Sequence, residues 1–144
     1  MFSVHDNVVY GYSVSCTRAR CVLHTKFPHD KKSPEFTDVV FEGVAALQFD
    51  DVSMSQSILL DVFELEPEQF FEAFADHFRV EEKWGLTFSY TWLPFKYQDK
   101  TEFSGLIKAH ALHCYEIDAS WGLNGFVIAK SCERLLRESE ADCA

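Results

Sequence analysis

Two runs of strand-forming residues, NVVYGYSVSC (7–16) and CVLHTKF (21–27), are separated only by a four-residue, mostly polar connection, TRAR. In the first run Val8, Tyr10, Tyr12 and Val14 alternate with Val9, Gly11 and Ser13. A period of two places alternate side chains on opposite faces, the mark of a strand. So short a connection predicts that the two runs pair with each other as an antiparallel hairpin. Setting Cys16 opposite Cys21 gives a register with Val14 against Leu23 and Tyr12 against Thr25.

The stretches that follow extend the pattern. PHDKKSP (28–34) reads as an exposed loop bounded by prolines. EFTDVVFEGVAALQFDD predicts a long strand bent at Gly43, with Phe41, Ala45, Leu47 and Phe49 on one face. DVSMSQS reads as a turn and ILLDVFELE as a further strand. EPEQFFEAFADHFRVEEKWG predicts a helix: Pro67 suits its first turn, Phe70, Phe71, Phe74 and Phe78 make an apolar stripe, and Gly85 is the expected stop. LTFSYTWLPFKYQDK mixes strand-like residues with an interrupting Pro94. A second helix is expected within TEFSGLIKAHALHCY, then a turn, a strand GFVIA, and a short terminal helix from about Ser131. The expected fold is α+β: a mostly antiparallel sheet of about five strands, two main helices packed on it and a short C-terminal helix. No repeat or linker divides the chain, so one domain over residues 1–144 is expected.

The chain is 144 residues long and holds 14 Phe, enough apolar ring area for an ordered core. Its 23 acids against 13 bases give a net charge of −10. Nucleic-acid readers carry a basic footprint, and anionic membranes repel such a chain, so neither is expected as a partner. The start MFSVHDNVVYGYSV lacks the pattern of a secretory signal, and no apolar run approaches a bilayer span. Five cysteines, an odd number without a regular framework, suit reduced thiols in the cytoplasm.

Several stretches invite a chemical reading. SWGLNGFVIA (120–129) has the glycines of a phosphate loop, but an apolar strand-like run follows them where a helix N-terminus is required. It is read as a turn in which Gly122, Asn124 and Gly125 supply positive φ. HALHC sets His110, His113 and Cys114 close together, and His110 and His113 would share a helix face. Whether they bind a metal stays open, because two or three such groups without Cys-x-x-Cys or His-Glu-x-x-His fall short of a zinc set. HDN at His5, Asp6 and Asn7 suits strand-edge capping. No Gly-x-Ser-x-Gly is present, and no cysteine carries a nucleophile signature. The expectation is a protein without catalytic residues, cofactor or metal.

Charge is distributed unevenly. Residues 61–82 hold eight acids, Asp61, Glu64, Glu66, Glu68, Glu72, Asp76, Glu81 and Glu82, against the single base Arg79. If the helix buries its Phe stripe, its outer face carries a negative field suited to a basic partner. Glu64, Glu66, Glu68, Glu72, Asp76, Glu81 and Glu82 are therefore the candidate partner-binding residues.

HDNVVYGYSV, VLHTKF, PEFTDVVFEGVAALQF and the late SWGLNGFVIA together resemble a group of short bacterial proteins of unassigned function, over most of the chain. Small acidic α+β proteins of this kind are similar to the immunity proteins that neutralise toxins in interbacterial competition. The resemblance implies a cytosolic protein that binds a cognate, often basic, toxin, and it carries over no site residue. Two other readings stand beside it. One is a small-molecule-binding domain or small enzyme, with a pocket between sheet and helices lined by Tyr10, Tyr12, His24 and Trp121. The other is a homodimeric structural subunit that pairs through a strand edge or a Phe-rich face.

Overall fold

The computed structural model describes residues 3–27, 34–52, 57–89, 91 and 93–143, with backbone only for 87–89. The chain runs β1 (Val8–Ser15), β2 (Arg20–Phe27), β3 (Glu35–Glu42), β4 (Ala46–Asp50), β5 (Ile58–Leu65), α1 (Pro67–Ala73), α2 (Ala75–Phe78), β6 (Val80–Lys83), β7 (Leu86–Ser89), α3 (Lys100–Ala109), β8 (His113–Trp121), β9 (Asn124–Ala129) and β10 (Ser131–Arg137). Eight strands form one antiparallel sheet in the order β10-β3-β2-β1-β5-β8-β9-β4, and β6 and β7 form a separate ribbon. The expected five-stranded sheet with two main helices is thus corrected: among the described residues sheet dominates, and the helices are three short pieces.

The sheet closes on itself. β3 and β4 are one strand bent at residues 43–45, and β9 and β10 are one strand interrupted only at Lys130. Across the bend, Lys130 N–H donates to the carbonyls of Glu42 and Gly43 at 3.0 and 3.3 Å. The pairings β3–β10 and β4–β9 are therefore two halves of one long antiparallel pairing. Six staves result, and the seam between β1 and β5 is the shortest: Val8 faces Ile58, flanked by Val9 N–H to Ser57 O (2.8 Å) and Leu59 N–H to Asn7 O (2.9 Å). Closure turns one face of every stave inward. Val9, Leu23, Val39, Phe41, Leu59, Val62, Tyr115, Ile117 and Val127 fill that interior. Phe41 of β3 meets Tyr115 of β8 with ring centroids 5.5 Å apart, although three strands of the sheet lie between them.

Residues 66–112 are an insertion between β5 and β8, and they build a second core on the outer face of β8 and β9. Phe70, Phe78, Phe103 and Ile107 pack there against Cys114, Phe126 and Ile128. The β8–β9 pair is buried on both faces, which explains why GFVIA is continuously apolar instead of alternating.

Local expectations are adjusted in four places. The predicted single helix over 66–85 breaks at Phe74 (φ −116°, ψ 35°) and gives way to a strand at Val80, so Gly85 ends no helix. The expected C-terminal helix is β10: Cys132, Leu135 and Leu136 have helical spacing, but the free edge of β3 offers seven residues a ladder, and pairing overrides propensity. In the first hairpin Val14 faces Cys21 and Tyr12 faces Leu23, two residues from the expected register, so Cys16 lies in the turn and not opposite Cys21. A slip of two keeps the same faces, but a bulge between Val9 and Gly11 does not: it sends Tyr10 to the outer face and Tyr12 to the inner one. Within the bend, Val44 joins the barrel interior in place of Ala45, which packs with the second core. The loop expected at 28–34 and the turn at 51–57 fall mostly outside the described residues.

Candidate functional site

The carboxylates singled out in the sequence all lie on or beside the insertion, but they do not form one uniform face. Glu64, at the end of β5, hydrogen-bonds His113 of β8. Glu72 on α1 pairs with Lys100 at 2.6 Å, and that contact raises the lysine pKa above its ordinary value. Glu81 on β6 pairs with Arg79 and Lys83 at 3.2 and 3.0 Å. Glu72 and Glu81 are thus compensated by lysine or arginine, whereas Glu64 has only the histidine hydrogen bond. Among the described residues no base lies within ion-pair distance of Glu66, Glu68, Asp76 or Glu82, and all four are exposed. Their charge acts outward, screened over roughly 8–10 Å at moderate salt.

A cleft of about 480 Å³ opens beside them, where the end of β5 and the start of α1 meet the turn before β8. Glu64, Glu66, Gln69, Lys108 and His113 rim it over a floor that includes Leu65 and Leu112. A rim of mixed charge over an apolar floor fits a polar group carried on an apolar stem.

The β6–β7 ribbon adds an apolar element. Lys83 faces Leu86, leaving the two-residue turn Trp84–Gly85 with φ of +53° and +73°. Two positive φ values make this the type I′ turn that matches strand twist, and Asn-Gly is its usual occupant. Trp84 in that conformation costs roughly 1–2 kcal/mol relative to glycine. Folding gains no packing in return, since Trp84 is 91% exposed and its neighbour Leu86 60% exposed. The signal was present in the sequence as X-Gly between VEEK and LTFS, but the Phe stripe before it made the whole segment read as helix.

The alternative pocket residues are not gathered. Tyr10 and His24 come together on the outer face of β1 and β2, with ring centroids 6.0 Å apart. That face is remote in the sheet from the β8–β9 surface on which the helices pack. His24 Nδ1 lies 2.8 Å from Asp38 Oδ1, and Arg137 donates to Asp38 Oδ2 at 3.1 Å. Ala141 N–H donates to the Tyr10 hydroxyl at 2.8 Å, so the C-terminal tail straps this cluster, and burial raises the Tyr10 pKa. Tyr12 meets Phe49 instead, at 5.2 Å, and Trp121 is 66% exposed at the far end of β8.

The remaining candidates resolve into architecture. Asn124 does not share the positive φ of Gly122 and Gly125; its side chain accepts from Ala119 N–H at 2.9 Å and donates to Gly122 O at 3.1 Å, tying the β8–β9 turn. α3 ends at Ala109, so His110 caps it while His113 and Cys114 belong to β8, and the shared helix face expected for the two histidines does not exist. Among the described residues no cluster of three or more His, Cys, Asp or Glu is placed to hold a metal. All five cysteines are free. Burial pushes Cys21 and Cys114 up to about 12 and Cys132 to about 11, which keeps them as unreactive thiols. Asn7 is buried, its amide donating to Thr25 Oγ1 at 2.8 Å inside the barrel end. The Phe-rich face proposed for dimer formation is consumed by the second core. Among the described residues no helix is long and apolar enough to cross a membrane.

No protein-family model, curated protein or solved structure matches the chain.

Proposed function

We propose that this chain is a cytosolic binding protein of the immunity type, which neutralises a basic protein toxin by forming a stoichiometric complex. The observation that carries the reading is the set of exposed carboxylates Glu66, Glu68, Asp76 and Glu82 on the insertion, none of them in an ion pair among the described residues, within a chain of net charge −10. A field of this sign accelerates capture of a basic partner and repels nucleic acid. The cleft rimmed by Glu64, Glu66, Gln69, Lys108 and His113 gives a polar side chain of that partner a place to enter.

The test is affinity capture from cells that make the protein, with wild type and the quadruple variant E66Q/E68Q/D76N/E82Q, at about 50 and 500 mM salt. One basic protein retained in equimolar amount by wild type at low salt, and lost both at high salt and with the variant, is expected. Equal recovery with the variant, or recovery indifferent to salt, refutes the acidic-surface reading. These side chains are exposed, so the variant should fold normally.

A further inference from the structure

Taking the binding reading as its premise, we infer that the β6–β7 ribbon is the anchor of the interface, and that Trp84 with Leu86 inserts into an apolar cleft of the basic protein partner. Three observations converge on this. Trp84 sits at the tip of a two-residue turn, in a conformation that Asn or Gly adopts more readily, and it packs against almost nothing. Leu86 extends the apolar tip, and the exposed Glu82 lies on its flank. The tip is also presented on a defined ribbon, paired from Val80–Ser89 to Lys83–Leu86, so little ordering is needed on binding.

Charge selects the occupant. A second copy of this chain carries the same net charge of −10 and is repelled as a whole, and anionic lipid headgroups would repel Glu82 and the acids of α1. A protein of opposite charge is attracted by the same field, and an aromatic anchor within a polar rim is the usual anatomy of a binding hot spot. Tryptophan suits that role because it delivers a large area with only two side-chain torsions to fix.

The experiment places a photoreactive phenylalanine analogue at position 84, at 68 on α1, or at 135 on the barrel face opposite Asp38, and irradiates each full-length protein in lysate of cells that make it. A crosslink from 84 to one basic protein, competed by unlabelled wild type and not by Trp84→Asn, is expected, with none from 135. Crosslinking from 68 without 84 overturns the ribbon inference and leaves the binding reading standing; crosslinking from none of the three positions overturns both. A crosslink from 84 to a second copy of the chain, or to lipid, overturns the choice of partner. With the crosslinked protein purified, Trp84→Asn should weaken binding about 30-fold or more. Asn accepts positive φ, so the turn survives and thermal stability should not fall. Wild-type affinity in that variant overturns the inference.

Discussion

Phe70→Ala is the substitution that most directly probes how the insertion is held to the barrel. The Phe70 ring is fully buried, with centroids 5.0, 5.1 and 5.4 Å from those of Phe74, Phe78 and Phe126, and it stacks at 6.4 Å on Phe103. It therefore joins α1, α2, α3 and β9 at one point. Removing the ring forfeits the transfer energy of a buried Phe, about 1.5–3 kcal/mol. The cavity adds to that, because four neighbouring rings in staggered orientations collapse poorly, and large-to-small Phe substitutions reach about 3–5 kcal/mol. For a chain of this size the loss corresponds to roughly 10–20 °C in Tm. Urea denaturation followed by far-UV circular dichroism measures it, with Phe63→Ala as the comparison: Phe63 is 40% exposed, and its loss should cost under about 1 kcal/mol. A Phe70→Ala penalty no larger than that of Phe63→Ala would refute the second core as described.

Three further outcomes follow from the geometry. Gly125→Ala should cost more than about 3 kcal/mol, since φ is +152° and a Cβ would stand 1.9 Å from the Gln48 carbonyl oxygen, in backbone that cannot swing aside; a melt within a few degrees of wild type would contradict the β4–β9 pairing. Burial, then the nearby Asp118, raises the Glu116 pKa above its ordinary value, so the ionised form is disfavoured by folding. That penalty is present above the folded pKa and is lost as pH falls toward the unfolded value, so Glu116→Gln should raise Tm at pH 7 and lose the gain near pH 4. In the native protein a thiol reagent should label Cys16 and Cys143 rapidly, the half-buried Cys132 more slowly, and Cys21 and Cys114 only on unfolding; mass spectrometry of labelled peptides reads this.

Much of the local structure was legible because it rests on local physics. The period of two in 7–16 marks a strand whatever surrounds it, ILLDVFELE reads as a strand by its residue types, and the Phe stripe of 70–78 had to be buried somewhere. The acids of 61–82 were visible as composition, and so was the absence of a basic footprint.

What the tertiary structure alone decided is pairing over distance. Whether SCERLLR is a helix or a strand depends on the edge of β3, nearly a hundred residues away in the chain. The bulge beside Tyr10 depends on how β1 meets β2, and it separates two tyrosines that alternation puts on one face. Which of the candidate acids are paired with a base depends on Lys100 and on the contacts of Arg79 and Lys83 beside the ribbon. Trp84 could be known as exposed only once the segment was seen to turn back as a ribbon. Periodicity reports which side chains share a face, because that is set by backbone geometry within a few residues. The partner against which that face is buried is a long-range choice, made by the total free energy of the closed barrel and its inserted core.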